Sequence, residues 1–309
     1  MKTMFGFLLV LVTAATAADL SQLQTVPQPY HQISFQRDGI EITRYYFGPD
    51  LNRPFLFPII GPSGRCLTRM GHPHDPEGHS HHNSIWISHS DVNGASFWAD
   101  RTGARIVHQR IEKLDDDAVQ SLNAWIDKEG KTLLRERRRI SIQLLPNGEW
   151  LMILDLLLEA QEKEVTFGKT PFGLLGVRMA KSIGVNDGGG TIRNSEGGLN
   201  ESEVLWKQAR WVDYSGPITA TATEGITLMD HPTNPNHPTF FHVRNDGWMG
   251  ASLTYDAPRT LAPHKPLQLH YGLYIHSGAP TLEQLQQRWL EFSRTTPFAF
   301  KSFPERKRP

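Results

Sequence analysis

The sequence of 309 residues contains a single cysteine, Cys66, so no disulfide can form within the chain. Stability must therefore come from the core, and we assign no chemistry to a lone cysteine, which is most often a small buried apolar residue. Net charge is missing as well, because 32 Lys and Arg residues balance 32 Asp and Glu residues. No long-range field attracts nucleic acid or an anionic membrane, so a ligand must be recognised locally.

Two further absences narrow the function. The sequence has no serine-nucleophile motif, phosphate-binding loop or dinucleotide fingerprint, which disfavours triad hydrolysis and NAD-dependent chemistry. Only the start of the chain forms a long apolar run. We therefore expect no membrane insertion once that run has been removed.

That start, MKTMFGFLLVLVTAATAADL, has a basic Lys2, an apolar run over residues 4–12 and an A-x-A arrangement at residues 15–17. The pattern predicts a secretory signal peptide over residues 1–17 and export to the periplasm or the extracellular space. The alternative, a membrane anchor, needs about 20 apolar residues, and this run is shorter.

The remaining chain shows no repeat and no clear linker. Residues 18–30 read as a leader, with regular structure beginning near His31. We interpret residues 31–295 as one domain and residues 296–309 as a C-terminal tail. The basic run RERRR, residues 135–139, is typical of an exposed charged face.

Most of the domain reads as β-structure. Strand-like runs are joined at turn residues such as Asp38-Gly39, Glu129-Gly130 and Pro146-Asn147-Gly148. The one convincing helix is TLEQLQQRWLEF, in which Thr281 and Gln284 form a capping box. These features predict an all-β fold, a large antiparallel β-sandwich with few short helices, one of them near the C-terminus.

Six histidines lie in the segment GHPHDPEGHSHHNSIWISHSDVNGASFW, residues 71–98. One hypothesis is a transition-metal site, because neutral imidazole is a good ligand. A second is that some histidines act as acid, base or donor toward a sugar. Trp86 would then pack on the apolar face of the ring, and Asp91 and Asn93 would bind hydroxyls. The third is an ordered loop whose histidines cap backbone groups.

A second segment, DHPTNPNHPTFFHVRNDG, residues 230–247, repeats the theme with Asp230, His231, His242 and Arg244. Two proline-stiffened segments that carry histidines suggest two walls of one pocket, because preorganised polar groups need rigid supports. His242 and Arg244 are two positions apart and would face the same way on a strand. The alternative is a loop that crosses the end of the sandwich.

Two basic residues are weaker candidates. Arg178 lies in the apolar run GLLGVRMA, where a buried charge must either bind a ligand or pair with a structural carboxylate. Lys207 lies between Trp206 and Arg210, an apolar setting in which a lysine becomes useful.

The order HPHDP, GHSHHNSIWISHSDVNGASFW, RNSEG, ARWVDYSG and DHPTNPNHPTFFHVR resembles the bacterial PmoA-like domain family, over roughly residues 35–280. The resemblance implies a fold similar to the galactose-mutarotase supersandwich and a setting of secreted proteins associated with sugar metabolism. It does not imply a methane monooxygenase subunit, which is a membrane protein of many apolar helices.

The leading hypothesis is an exported carbohydrate-active protein with mutarotase-like, epimerase-like or lyase-like acid–base chemistry on a small-molecule carbohydrate. The candidate catalytic residues are His82, His89, His242 and Asp230. The candidate substrate-binding residues are His81, Trp86, Asp91, Asn93, Arg178, Lys207, His231 and Arg244.

Two alternatives remain open. A divalent transition metal would be held by His81, His89, His231 and His242. A non-catalytic sugar-binding module would bind a sugar without turnover.

Overall fold

The computed structural model describes residues 21–301 and Phe303, so the signal peptide predicted over residues 1–17 lies outside the described residues. The strands, in chain order, are β1 (Leu23–Gln28), β2 (Gln32–Arg37), β3 (Ile40–Tyr46), β4 (Phe55–Ile59), β5 (Ile85–His89), β6 (Arg105–Asp115), β7 (Ala118–Ile126), β8 (Thr132–Leu144), β9 (Trp150–Ala160), β10 (Val165–Phe167), β11 (Gly173–Arg178), β12 (Thr191–Asn194), β13 (Lys207–Ala209), β14 (Trp211–Pro217), β15 (Thr223–Asp230), β16 (Thr239–Arg244), β17 (Trp248–Ser252), β18 (Arg259–Leu261) and β19 (Leu267–Ser277). The helices are α1 (Val185–Gly188), α2 (Asn200–Val204) and α3 (Leu282–Ser293), with short 3₁₀ turns at Pro146–Gly148 and Lys181–Ile183.

The strands form two large antiparallel sheets and a two-stranded ribbon of β10 and β18. The nine-stranded sheet has the order β1-β2-β3-β4-β5-β11-β17-β16-β13, and the eight-stranded sheet has the order β12-β14-β15-β19-β9-β8-β7-β6. This architecture, with its one long helix near the C-terminus, confirms the predicted large antiparallel β-sandwich. Across residues 21–301, no helix is both long and apolar enough to cross a membrane.

The three turns predicted from the sequence join neighbouring strands. Asp38 and Gly39, between β2 and β3, both have positive φ, 52° and 78°, as a tight hairpin turn requires. Gly130 and Asn147 also take positive φ, in the connections that lead into and out of β8. Local turn chemistry therefore fixes these hairpins.

One apolar core lies between the two large sheets. It takes alternate residues from both, such as Ile85 and Ile87 of β5 and Leu154 and Leu156 of β9. Because side chains alternate across a strand, Trp86 points to the opposite face of the nine-stranded sheet, where it packs with other aromatic rings. That outer face is available to build a site.

Helix α3 covers part of the outer face of the eight-stranded sheet. Its residues Leu285, Trp289 and Phe292 are buried against Trp211 of β14 and Met229 of β15. The helix therefore has a packing role, in agreement with the apolar stripe of its sequence.

In the described part of the predicted C-terminal tail, residues 296–301 and Phe303, the chain is packed against the protein and is not a free tail. The Phe298 N–H donates to Asp155 Oδ1 at 3.0 Å, and Phe303 is buried with Leu122 and Leu157. Its aromatic rings cover apolar surface on β7 and β9 that would otherwise face solvent.

Regular structure also begins earlier than predicted, at Leu23 in the segment read as a leader. Strand β1 pairs along its length with β2. Pro27 weakened the strand pattern, but β1 is the edge strand of its sheet, where a missing N–H donor is tolerated.

The basic run 135–139 is not the exposed face that we predicted, because β8 lies in the middle of its sheet. Glu136 and Arg138 are buried and joined at 2.6 Å, and Glu136 also accepts from Trp125 Nε1 at 2.7 Å. Arg137 is buried beneath the Phe303 ring, with its guanidinium carbon 4.3 Å from the ring centroid.

The N-terminal cap of α3 allows a test of the predicted capping box. Thr281 Oγ1 accepts the Gln284 N–H at 3.2 Å, and Gln284 Oε1 accepts the Thr281 N–H at 2.8 Å. We expect Thr281→Ala to lower the free energy of unfolding by about 1 kcal/mol, because the backbone donor loses its acceptor. Urea denaturation measures the change. Thr281→Ser keeps the hydroxyl and is the control; an equal loss in both variants would contradict the capping role.

Candidate functional site

Three tryptophans cover the outer face of the nine-stranded sheet. Trp86 lies on β5, Trp248 lies on β17, and Trp98 follows β5 in the chain; their ring centroids are 5.3–5.4 Å apart. All three are buried. We call these three residues the indole floor.

A glycine makes room for the indole floor. Gly176 of β11 is paired with Trp86 on one side and with Gly250 on the other. A Cβ atom at Gly176 would lie 2.7 Å from Cη2 of Trp248 and 2.9 Å from Cζ2 of Trp86. A side chain at this position would therefore displace one of the two indoles.

The histidine loop, residues 71–82, crosses above the indole floor. Its ends are joined by a hydrogen bond from the Gly71 N–H to the His82 carbonyl at 2.7 Å. The His82 imidazole stacks on Trp248, with 5.4 Å between centroids and 18° between planes, and on Trp86 at 5.5 Å. This catalytic candidate therefore contacts the floor directly.

Three other histidines of the loop form a chain of ring contacts that starts at His82. The ring of His81 lies 4.5 Å from His82, His79 lies 4.7 Å from His82, and His72 lies 5.1 Å from His79. His81 also lies 5.9 Å from Trp98. The substrate-binding candidates His81 and Trp86 are thus both at the floor.

His242, on β16, approaches the floor from the other side. Its ring lies 5.8 Å from Trp248, 5.3 Å from Phe172 and 6.2 Å from Trp206. Phe172 and Trp206 are each 42% exposed, which is unusual for large aromatic residues. His242 is therefore flanked by aromatic rings that a ligand from solvent can reach.

Arg178, at the end of β11, is fully buried on the same face as Gly176. Its Nη1 donates to Asp246 Oδ1 at 2.9 Å, and His72 Nε2 lies 3.2 Å from Asp246 Oδ2. Arg69 donates from Nη2 to the Asp246 carbonyl at 2.8 Å, and its backbone N–H bonds the Arg178 carbonyl. Asp246 thus binds both guanidinium groups, that of Arg178 through its carboxylate and that of Arg69 through its backbone carbonyl.

Several buried nitrogens in this region have no hydrogen-bond partner among the described residues. They are Nδ1 of His82, Nδ1 of His242, Nε1 of Trp248, Nε and Nη2 of Arg178, and Nε and Nη1 of Arg69. Each such atom costs about 1–3 kcal/mol if nothing bonds it, and native proteins keep few of them. Their concentration here indicates that a polar ligand or ordered water completes the site. We call His82, His242, Arg69, Arg178 and Asp246, with the indole floor, the candidate site.

Burial keeps the site histidines neutral. Burial, followed by the charge of Arg244, lowers the pKa of His242 to about 4. Burial, with the neighbouring His81 as the next cause, lowers the pKa of His82 well below its usual value. At pH 7 each imidazole therefore presents one donor and one acceptor.

Arg69 remains charged at pH 7. Burial and then the charge of Arg178 lower the pKa of Arg69 to about 10. Burial acts to raise the pKa of Asp246, but the hydrogen bond and charge of Arg178 outweigh it and hold that pKa below its usual value. The site therefore combines the guanidinium groups of Arg69 and Arg178 with the Asp246 carboxylate, and the charge of Asp187 also acts on Arg69.

The structure separates His89 from the candidate site. His89 is three positions from Trp86 on β5 and faces the core, because side chains alternate along a strand. Its Nε2 lies 2.8 Å from Thr254 Oγ1, and its Nδ1 accepts the Asp91 N–H at 3.1 Å. Both ring nitrogens thus have protein partners, which fits a structural role.

Asp91 and Asn93 lie in the turn after β5, away from the candidate site. Asp91 Oδ1 accepts the Gly94 N–H, and Asn93 Oδ1 accepts the Thr166 N–H, both at 2.8 Å. These side chains hold the turn and its contact with β10.

Asp230 and His231 belong to a second cluster, beneath α3 on the eight-stranded sheet. Asp230 Oδ2 lies 2.7 Å from His237 Nδ1, and His231 Nε2 lies 3.2 Å from the Thr295 carbonyl. Of the second histidine segment, only the part from His242 onward reaches the candidate site. The two segments are therefore not two complete walls of one pocket.

The remaining candidates are on the surface. Lys207 is exposed on the edge strand β13, and Arg244 is half exposed with its Nε 2.9 Å from Glu201. The four histidines of the metal hypothesis are not brought together, because His89 faces the core and His231 lies beneath α3. No group of three or more His, Cys, Asp or Glu in the described part of the chain is arranged to hold a metal ion.

The sequence reasoning did not select Arg69, Asp246, Trp248, Phe172 or Trp206. A signal was present for the floor: Gly176 lies two positions before Arg178, and Trp248 lies two positions before Gly250. When glycine alternates with large residues on one face of a strand, a bulky ring from a neighbouring strand often occupies the space above the glycine.

A family model described as a family of unknown function (DUF6807) matches residues 32–290. The chain belongs to the DUF6807 family. The comparison with curated proteins found no match. The PmoA-like resemblance stays a prediction, because this family description does not address it.

Solved structures align with this DUF6807 protein at low identity. A putative kojibiose phosphorylase from human microbiome has a TM-score of 0.35 and 9% identity over 90% of this chain and 37% of its own. A GalM/aldose epimerase homologue from C. elegans has a TM-score of 0.34 and 6% identity over 84% of this chain and 100% of its own. HI1317 has a TM-score of 0.26 and 8% identity over 84% of this chain and 99% of its own. The chain thus spans 37% of the length of the phosphorylase, and TM-scores this low carry no functional argument.

We expect Gly176→Ala to destabilise the protein by about 1–3 kcal/mol, because the added methyl group forces the indoles of Trp86 and Trp248 apart. Urea denaturation followed by tryptophan fluorescence reports both stability and the state of the floor. Gly48→Ala is the matched control, since its added Cβ meets only Leu51, at 3.9 Å. Equal stability of the two variants would contradict the assigned role of Gly176.

We expect the free energy of unfolding to fall as the pH is lowered from 7 to 5. The folded-state pKa of His242, about 4, lies below the usual value of 6.5, so between these values the unfolded chain binds a proton that the folded protein does not. Each such buried histidine contributes about 1.4 kcal/mol per pH unit in that window.

Urea denaturation at pH 7, 6 and 5 tests this expectation. The fall should be smaller for His242→Gln than for the wild type. It should be unchanged for His264→Gln, in which a histidine side chain that is 67% exposed is replaced. The same fall in all three proteins would show that His242 is not responsible.

Proposed function

We propose that this DUF6807 protein is an exported carbohydrate-active protein that binds a sugar at the candidate site, with His82 and His242 as an acid–base pair. One observation carries the proposal. These two imidazoles come from separate segments, both contact Trp248, and each has a buried Nδ1 without a partner among the described residues.

The surroundings of His242 match the two surfaces of a sugar ring. Phe172 and Trp206 present exposed aromatic rings, on which the C–H face of a pyranose packs. Trp248 Nε1 and the unpartnered nitrogens of Arg178 are donors for ring or hydroxyl oxygens. The proposal therefore depends on the contacts of the candidate site.

The chemistry follows from two neutral imidazoles. One accepts a proton from a hydroxyl or an activated carbon, and the other donates a hydrogen bond to a ring or carbonyl oxygen, as mutarotation and epimerisation require. Arg178 stabilises negative charge that develops on that oxygen.

A second candidate function is sugar binding without turnover. It is favoured by the pKa of His242, about 4, because acid–base catalysis is most efficient when the pKa lies near the working pH. The same contacts would then serve recognition alone.

The test is a screen of aldoses, with binding followed by NMR and anomer or epimer interconversion followed by polarimetry. We expect His82→Gln and His242→Gln each to lower kcat by roughly 100-fold or more, with the circular dichroism spectrum unchanged. His264→Gln is the control, because the His264 side chain is exposed and contacts Glu159 of the eight-stranded sheet. Binding without turnover in the wild type would select the second function, and full turnover in both site variants would refute the acid–base pair.

A further inference from the structure

Four of the six guanidinium nitrogens of Arg69 and Arg178 are buried without a hydrogen-bond partner among the described residues. Arg178 donates to the Asp246 carboxylate, whereas Arg69 donates to the Asp246 backbone carbonyl. The charges of Asp246 and Asp187 both act on Arg69. Of the other acidic side chains around the site, Asp100 pairs with Arg53 and Glu201 pairs with Arg244. Asp75 and Asp187 contact His79 and His74, which are charged only when they are protonated.

The unused atoms of Arg178 have a specific geometry. Nη1 is bound to Asp246, whereas Nε and Nη2, which form the side-on edge of the guanidinium, are buried without a partner among the described residues. Two parallel N–H groups on that edge match the two oxygens of a carboxylate at about 2.7–2.9 Å. Arg69 adds two more unpartnered nitrogens beside it.

Burial makes these unpartnered nitrogens costly. A guanidinium that is fully removed from solvent is stable only when it is paired and hydrogen-bonded, and Asp246 satisfies one of the three nitrogens of Arg178. Arg69 is partly exposed, and the charge of Arg178, which acts after burial, lowers the pKa of Arg69. A bound anion would relieve both effects.

We propose that the ligand of the candidate site is a carboxylate-bearing sugar, of the uronic acid class, whose carboxylate is bound by Arg178 and Arg69. This inference rests on the proposed sugar-binding function and adds the class of sugar. Trp248 is the neighbour of Arg178 across the β11–β17 pair and contacts His242, which in turn contacts Phe172. A ligand with a carboxylate at one end and a pyranose ring therefore matches the charged and aromatic parts of the site.

Isothermal titration calorimetry of the full mature chain tests the proposal, with glucuronate and galacturonate as probes and glucose and galactose as their neutral counterparts. Glucose 6-phosphate distinguishes phosphate from carboxylate recognition. We expect at least one uronate to bind about 10-fold or more tightly than its neutral counterpart, because charge-assisted hydrogen bonds to two arginines act only on the carboxylate.

The variants Arg69→Met and Arg69→Lys locate the contact, since Arg69 is partly exposed and its replacement disturbs the core less than that of Arg178. Arg69→Met should weaken uronate binding about 10-fold or more, and Arg69→Lys should restore part of the loss. Arg110→Met, which replaces a side chain that is 58% exposed on β6 of the other sheet, should bind uronates as the wild type does. Melting temperatures verify that each variant is folded.

The outcomes separate this inference from the proposed function. Neutral sugars that bind as tightly as uronates would overturn the carboxylate assignment and leave the sugar site intact, and so would tighter binding of the sugar phosphate. Absence of binding by every sugar would overturn both proposals. Unchanged uronate affinity in Arg69→Met would remove Arg69 from the site and overturn the paired-arginine contact.

Discussion

The buried charge of Arg178 constrains everything around it. A guanidinium without solvent requires an anion, and Asp246, in the turn between β16 and β17, supplies it at 2.9 Å. That requirement fixes the turn, to which Arg69 also donates a hydrogen bond. The same charge acts after burial to lower the pKa of His72, and it contributes to the lowered pKa of His82. The Arg178–Asp246 ion pair therefore holds the turn beside the site, while burial is the main cause and the charge of Arg178 a further cause of the lowered pKa of His72 and His82.

The sheet beneath that charge supports it through close packing. Because Gly176 has no side chain, Trp86 and Trp248 approach each other across β11, and the His82 imidazole stacks on both indoles. The position of His82 consequently depends on a backbone position in another strand. Stability and function are coupled here, since a change that opens the indole floor also moves the imidazole.

The sequence was sufficient wherever the signal is local. Turn residues, the capping box of α3 and the alternating strand pattern predict the β-sandwich. The histidine-bearing segments identify His82 and His242 as candidates. It was insufficient where pairing is non-local. Whether His89 faces the core depends on the partners of β5, and Asp230 is separated from His242 because β15 and β16 belong to different sheets. Asp246 was missed because its partner, Arg178, is distant in sequence.

The two buried histidine clusters of the protein differ in one physical respect. Beneath α3, Asp230 bonds His237, and His231 bonds Thr233 and the Thr295 carbonyl. None of the buried polar side-chain atoms of Asp230, His231 and His237 lacks a partner. At the indole floor, His242 and Arg178 leave buried donors unbonded. A polar network whose purpose is to hold a fold satisfies itself, because each unpaired atom costs stability. The unbonded donors of His242, Trp248, Arg69 and Arg178 are therefore the atoms to which a bound molecule would supply acceptors.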